Sequence, residues 1–189
     1  MMALQLRLNQ LGFWVGRETG DYNDRTVRGV TAAQKAAGLA LTGTVGPSTA
    51  TALSRGASLR PRTTRGRVLE VDRARQLLLV VDNGVVTRIY DIATSGNYAY
   101  WNPSTGNYDS AVTPSGTFQV TRQIEDWDPG DVGAIYRPRY LANGVALHGT
   151  SRDLTDAPES HRGIRLPLAS MDELISANEI SIGTPVVVY

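Results

Sequence analysis

The sequence predicts an α plus mainly β protein, with a small three-helix bundle followed by an all-β body that carries one short helix. Three observations predict this fold class. Leucines near the N-terminus recur at helical spacing, β-branched runs begin at Val68, and an Asn-Gly pair separates two of these runs. The predicted domains are residues 1–56 (helical) and 67–189 (mainly β), joined by a linker at 57–66.

Local signals bound each predicted helix. The first is amphipathic and ends at Gly12, and the second begins at the Asn23-Asp24 cap and ends at Gly38. A third follows Gly46, with a proline in its first turn. The apolar positions expected in their shared core are Leu4, Leu8, Leu11, Val27, Val30 and Leu53.

The second half carries strand and turn signals. Residues 57–66 are polar and arginine-rich, which is typical of a linker. Strands are predicted at 68–71, 77–81, 85–92, 117–124 and 184–189, with an Asn-Gly hairpin turn at 83–84. Residues 97–111, rich in Tyr, Asn, Gly and Ser, predict an exposed loop, and 168–177 predict a helix with Ser170 and Glu173 as a capping box.

Bulk composition excludes several classes of function. The 189 residues carry a formal net charge of +1, which gives no electrostatic argument for nucleic acid or an anionic membrane. The chain has no cysteine, and so no disulfide, zinc–thiolate site or thiol nucleophile. No stretch approaches the ~18 apolar residues of a membrane span, and no signal peptide is visible at the N-terminus.

Residues 3–54 resemble the three-helix peptidoglycan-binding domain. The resemblance rests on Leu4 to Phe13, Gly20 to Asp24, Gln34 to Leu39 and Thr42-Gly43. Such a module needs a shallow polar groove with aromatic side chains that lie against sugars. Candidates for sugar contact are Phe13, Trp14 and Tyr22, and candidates for polar contact are Asp21 and Arg25. Packing or plain surface exposure stays open for Trp14 and Tyr22.

Residues 68–189 resemble an L,D-transpeptidase (YkuD-like) catalytic domain, which implies a β-sandwich-like fold. The motifs that carry the resemblance are Thr94-Ser95-Gly96, Thr113 to Phe118, Leu147 to Thr150, Ser160 to Leu166 and Gly183 to Val188. The resemblance implies acyl transfer, in which a thiolate attacks a tetrapeptide stem and the amine of a neighbouring stem resolves the thioester.

The nucleophile position departs from the family signature. The family has Ser-His-Gly-Cys, an aliphatic residue and Arg, whereas this chain reads Ser-His-Arg-Gly-Ile-Arg at 160–165. Gly163 therefore stands at the cysteine position, and Arg162 stands at the glycine position. The resemblance assigns the remaining catalytic positions to His148, Gly149, Ser160, His161 and Arg165. Candidates for substrate contact are Arg162, Tyr136 and Tyr140.

Loss of the nucleophile predicts loss of catalysis. Glycine has no side-chain atom that attacks a carbonyl, and removing a nucleophile from a comparable hydrolytic triad costs about 10⁶-fold in turnover. Arg162 either blocks the channel or binds a stem carboxylate. Thr150, Ser151 and Tyr140 have no spacing that makes them replacements. No metal site or cofactor is expected, because the two histidines have no third ligand at recognisable spacing.

Three functions are compatible with these residues. The first is a non-catalytic peptidoglycan-binding protein of the bacterial cell envelope, periplasmic or extracellular, with the stem peptide or a protein as a further partner. The second is an altered form of an active, cross-linking L,D-transpeptidase. The third is an anchoring component of a larger envelope-associated or phage-like assembly.

Overall fold

The computed structural model describes residues 1–56, 59–103, 105–130, 133–141, 144–152, 154 and 160–189. The chain divides into two compact units, Met1–Asp91 and Ile92–Tyr189. Residues 57 and 58 of the predicted linker lie outside the described residues. The first unit contains α1 (Met2–Gln10), α2 (Asp24–Ala37), α3 (Pro47–Arg55), β1 (Arg67–Asp72), β2 (Leu77–Asp82) and β3 (Val85–Asp91).

Among the described residues, the second unit contains the other nine strands and the last helix. Its elements are β4 (Tyr98–Asn102), β5 (Asn107–Ala111), β6 (Gly116–Gln119), β7 (Arg122–Gln123), β8 (Trp127–Gly130), β9 (Gly133–Tyr140), β10 (Ala146–Thr150), β11 (Ile164–Pro167), α4 (Leu168–Ser176) and β12 (Pro185–Val188). The predicted order of three helices, a strand-rich body and one late helix is confirmed.

The predicted helix ends follow from their caps. The Asn23 side chain accepts a hydrogen bond from the Thr26 backbone N–H at 3.1 Å, which satisfies one of the free amides at the start of α2. Gly38 ends that helix in the left-handed conformation, with φ at 64°. Pro47 is the first residue of α3, where a missing N–H costs nothing.

The first unit has one continuous apolar core. Strands β1, β2 and β3 form an antiparallel sheet, and both turn residues Asn83 and Gly84 have positive φ, as a tight hairpin turn requires. Helix residues and strand residues pack together in that core, which comprises Leu8, Phe13, Val15, Val30, Ala32, Ala33, Leu53, Leu77, Leu79, Val81 and Ile89.

Backbone bonds also join the helical segment to this sheet. The Trp14 N–H donates to the Ile89 carbonyl at 3.1 Å, and the Ile89 N–H donates to the Gly12 carbonyl at 2.7 Å. Residues 12–14 thus cover the free edge of β3. The predicted boundaries at 56 and 67 stay a prediction, while the packing brings the helices and the first three strands into one unit.

A buried ion pair and a buried carboxylate tie parts of this unit together. The Lys35 Nζ lies 2.6 Å from an Asp91 carboxylate oxygen, and both side chains are at least nine-tenths buried. Glu70 is wholly buried in β1, and its carboxylate accepts hydrogen bonds from the Arg62 and Thr63 backbone N–H groups at 2.7–3.0 Å. The described part of the predicted linker is therefore held against the sheet.

The second unit is built on a mixed sheet in the order β11-β10-β9-β7, with β8 also pairing with β9. Strands β10 and β11 are parallel, and the β10–β9 and β7–β9 pairs are antiparallel. Strands β12 and β6 form an antiparallel pair, and β4 and β5 form a separate hairpin. Among the described residues, no helix is long and apolar enough to cross a membrane.

Three predictions about this unit are wrong. Residues 97–111 form the β4–β5 hairpin instead of an exposed loop. The strand predicted at 117–124 is two strands, because the chain leaves β12 after Gln119 and pairs with β9 from Arg122. The predicted capping box is absent: α4 begins after Pro167 with no side-chain cap, and Ser170 is buried.

Candidate functional site

A cleft of about 520 Å³ lies in the second unit, at the strands β10 and β11 and the β4–β5 hairpin. It collects most of the residues that the sequence assigned to a catalytic site. Its walls are formed by Tyr100, Asn102, Asp109, Trp127, Gly133, Ala134, Ile135, Tyr140, Gly144, Ala146, His148, Thr150, Ser151, Arg152, Ser160, His161, Arg162, Gly163 and Arg165.

The imidazole of His148 is buried, with 6% of the residue exposed. Its Nδ1 lies 2.9 Å from the Gly149 carbonyl oxygen, which only accepts, so Nδ1 carries the proton. Burial lowers the pKa of His148 to about 4; the Gly149 carbonyl opposes this shift, and the Arg165 charge adds to it. The ring is therefore neutral at pH 7, with Nε2 as its basic nitrogen.

Gly163 faces that basic nitrogen. A Cβ on Gly163 would lie 2.9 Å from His148 Nε2 and 3.0 Å from the Ala146 carbonyl oxygen. A side chain at 163 would thus project at the imidazole, as acyl transfer by a histidine-activated thiol requires. In this chain the His148 ring and the Ala146 carbonyl oxygen lie closer to that Cβ position than an ordinary contact allows, so even a methyl group would force one of them to move.

Gly149 is equally constrained. A Cβ there would lie 2.7 Å from a ring carbon of Tyr136 and 3.3 Å from a methyl group of Leu168. The close approach of Tyr136 places its ring behind the strand that carries His148. Its hydroxyl donates to an Asp172 carboxylate oxygen at 3.0 Å, and its ring contacts Trp127. Tyr136, expected to contact substrate, is absent from the described cleft walls and supports them instead.

His161 is held by two tyrosines of β4. Its ring stacks on Tyr100 with centroids 4.2 Å apart and planes 12° apart, and its Nδ1 lies 2.9 Å from the Tyr98 hydroxyl. Partial burial lowers the pKa of His161, and the charges of Arg165 and Arg152 lower it further. The hairpin that sequence reasoning took for a loop thus orients one of the predicted site residues.

Thr113 holds the backbone of the nucleophile position. Its hydroxyl lies 3.1 Å from the Arg162 carbonyl oxygen and 3.3 Å from that of Gly163, and it accepts the Ser95 N–H at 3.1 Å. Ser95 also forms a bridge with Ser160, whose N–H donates to the Thr94 carbonyl. The motifs at 94–96 and 113–118 were visible in the sequence, but only the structure shows that they meet at residues 160–163.

Cations dominate the charge of the cleft. Arg152, Arg162 and Arg165 line it, and Asp109 is the carboxylate among the described wall residues. Arg165 stands beside His148 in the parallel register of β10 and β11, so both side chains leave the same face of the sheet. This arrangement favours an anionic group in the ligand.

The other predicted contacts divide between the two units. Tyr140 lines the cleft, its hydroxyl bonds to Asp128, and the Arg122 guanidinium lies 3.7 Å from its ring centroid. In the helical segment Tyr22 is half exposed and donates to the Gly43 carbonyl at 2.6 Å.

The remaining helical candidates differ in exposure. Trp14 contacts the Tyr90 ring at 5.6 Å, with the Arg25 guanidinium 5.7 Å above its own ring, and Asp21 is exposed. Phe13 is wholly buried in the core, so its predicted contact with sugar is wrong.

The helical segment and the cleft are the features of a wall-associated protein with a transpeptidase-type domain. Residues 1–53 match the peptidoglycan binding domain family, and residues 66–188 match the L,D-transpeptidase catalytic domain family. The chain belongs to the L,D-transpeptidase family, and its two domains point to peptidoglycan as the partner and to the cell envelope as the location.

Solved structures agree with this assignment. The L,D-transpeptidase (residues 123–326) from Xylanimonas cellulosilytica is 37% identical over 100% of this chain and 92% of that chain, with a TM-score of 0.94. An L,D-transpeptidase from Stackebrandtia nassauensis is 18% identical over 100% of this chain and 89% of that chain, with a TM-score of 0.59, and shows the fold alone. A comparison with curated proteins found no match.

Proposed function

We propose that this chain is a peptidoglycan-binding member of its family that recognises stem peptides without transferring them. One observation carries the proposal: the residue that faces the basic nitrogen of His148 is a glycine, in a chain that contains no cysteine. The base His148, the Gly149 carbonyl that orients it and the flanking Arg165 all remain, but no side-chain atom at 163 attacks a carbonyl.

The cleft retains what binding requires. Its arginines suit the carboxylates of a stem peptide, and the stacked rings of Tyr100 and His161 give it an aromatic wall. Arg162 places a flexible cation beside position 163, and we assign it to the terminal carboxylate of the stem. A binding cleft of this kind needs no nucleophile, because retention depends only on ground-state contacts.

The helical segment supplies the second contact with the wall. Asp21, Tyr22 and Arg25 are exposed, and Trp14 is partly buried with the Arg25 guanidinium over its ring. Two weak sites on one chain raise retention on a polymer well above either affinity alone. We place this activity in the periplasm or outside the cell, where peptidoglycan lies.

Two tryptophans report separately on the two proposed sites. Trp14 lies in the helical segment and Trp127 lines the cleft, and each has one indole N–H resonance. Titration of the labelled chain with a soluble disaccharide-tetrapeptide is expected to shift the Trp127 resonance. The variant Arg162→Ala is expected to weaken this binding about tenfold, and Arg67→Ala, an exposed arginine outside the cleft, is the matched control.

Retention on purified sacculi tests the helical site. The variant Asp21→Asn/Arg25→Gln is expected to reduce the pelleted fraction, whereas Asp24→Asn, an exposed charge at the start of α2, is expected to leave it unchanged. A wild-type chain that neither pellets with sacculi nor shows a Trp127 shift would overturn the proposed function.

A further inference from the structure

The β4–β5 hairpin has two faces with different surroundings. Tyr100 and Asp109, which are partners in the register, line the cleft. Trp101 and Tyr108, the next partners, are 54% and 73% exposed. Because successive strand residues point to opposite faces, the two aromatic rings lie on the face turned away from the cleft.

These two rings form a pair that is largely open to solvent. Their centroids lie 5.4 Å apart with planes at 73°, which is an edge-to-face contact. In an edge-to-face contact, the edge of one ring covers one face of the other ring. The contact leaves both faces of the first ring uncovered. A cross-strand aromatic pair stabilises a hairpin, but pairing alone leaves more than half of each side chain in water. Large exposed aromatic surfaces mark interaction sites.

The charge of the hairpin argues against an anionic ligand on its outer face. Between residues 98 and 111 the one charged side chain is Asp109, which belongs to the cleft face. On the outer face, the exposed neighbours Ala99 and Ser110 are small and uncharged. An uncharged aromatic surface with small flanking residues gives no attraction to phosphate backbones or anionic headgroups.

We propose that Trp101 and Tyr108 form a binding subsite for the neutral N-acetyl sugars of a glycan strand. Pyranose rings present C–H groups that pack on the electron-rich faces of aromatic rings, and their hydroxyls stay in water. In peptidoglycan the lactyl carboxyl of each stem-bearing sugar is in an amide bond, so the strand itself is neutral. The inference rests on the proposed wall association and places sugar and stem on opposite faces of one hairpin.

Trp101 is the natural reporter of this subsite, since the chain has three tryptophans and the other two lie in the helical segment and the cleft. A Trp101→Phe variant identifies its indole resonance by subtraction. Titration of the full chain with a β-1,4-linked N-acetylglucosamine tetramer is expected to shift this resonance, independently of any shift at Trp14.

Paired substitutions separate ligand contact from hairpin stability. Trp101→Ser/Tyr108→Ser is expected to weaken tetramer binding at this face about tenfold, followed through backbone amides of β4 and β5. Trp101→Phe/Tyr108→Phe keeps both rings and is expected to stay within about threefold of wild type. Ile182→Ser removes an equally exposed apolar side chain of the same unit and is expected to change nothing.

Three outcomes would overturn the inference. The tetramer shifts only the Trp14 resonance, the serine pair binds as well as wild type, or anionic phospholipid vesicles shift Trp101 where the tetramer does not. If the wild-type chain still pellets with sacculi in these cases, the proposed function stands and the subsite fails. If the wild-type chain neither pellets nor shows a Trp127 shift with the disaccharide-tetrapeptide, both fail.

Discussion

At the scale of single residues, the site depends on the contact between Gly163 and His148. The sequence predicted both positions from the family signature, because the motif letters are local and ordered. It gave no distance and no protonation state. Those depend on residues brought together by the fold, namely the Gly149 carbonyl, the Ala146 carbonyl and the Arg165 charge.

Filling position 163 is expected to destabilise the fold. The φ of Gly163 lies outside the left-handed region that favours glycine. With open space around such a glycine, a change to alanine would stabilise the fold by about 0.4–1 kcal/mol, because alanine lowers the conformational entropy of the unfolded chain. Here the new methyl group meets His148 at 2.9 Å, and overpacking costs about 1–3 kcal/mol, so the net effect is a loss. Thermal unfolding measures it.

A double-mutant cycle provides the control. In a His148→Ala background the same substitution is expected to lose most of its cost, since the imidazole is gone. Equal stability of Gly163→Ala and wild type would show that the ring does not occupy this space.

The protonation of His148 predicts a pH dependence of stability. Its folded pKa of about 4 lies below the unfolded value of about 6.5, so the unfolded state binds the proton first. The titration of His148 has no effect on stability above about pH 6.5, and the free energy of unfolding falls as the pH drops from about 6.5 toward 4. His148→Gln is expected to flatten this part of the curve, and a measured His148 pKa above 6 would contradict the assignment.

At the scale of elements, local signals predicted what local interactions decide. The caps of α2 and the Asn83–Gly84 turn depend on neighbouring residues and were correct. The β4–β5 hairpin was missed because its Tyr, Asn, Gly and Ser composition is typical of loops. Strand formation there depends on cross-strand partners such as Trp101 and Tyr108, which no short window contains.

The segment around 160–163 depends on one hydroxyl. Thr113→Val keeps the shape of the side chain but removes the bonds to the Arg162 and Gly163 carbonyls and to Ser95. We expect a loss of about 1–3 kcal/mol of unfolding free energy, because the Thr113 side chain that makes these bonds is buried. Faster amide exchange at 160–163 is expected to accompany it.

Thr113→Ser is the matched control, since it keeps the hydroxyl. Its exchange rates at 160–163 are expected to stay near those of wild type. Identical exchange in the valine and serine variants would show that this hydroxyl does not hold the segment.

At the scale of the whole molecule, the helices and the first three strands share one core. Sequence reasoning separated them at 56 and 67, because composition changes there. It missed the Lys35–Asp91 pair, whose partners lie 56 positions apart and carry no joint signal. Removing the helices would expose Leu77, Leu79 and Ile89, so point variants are better tests of wall binding than truncations.

The buried pair joins α2 to β3 within this unit. Asp91→Asn leaves the Lys35 ammonium buried without its carboxylate, which is expected to cost about 3–5 kcal/mol. Lys35→Met/Asp91→Asn removes the buried ammonium and is expected to recover part of that loss. Chemical denaturation measures both, and a loss below about 1 kcal/mol for the single variant would contradict the role of the pair.

Intact-mass analysis of the full chain with a disaccharide-tetrapeptide tests the central claim most directly. The account predicts a bound ligand, seen as a Trp127 shift, with no mass added to the protein and no cross-linked dimer in solution. A covalent adduct or a dimer that forms with wild type and disappears in His148→Ala would contradict it, because the cleft would then catalyse transfer without a cysteine.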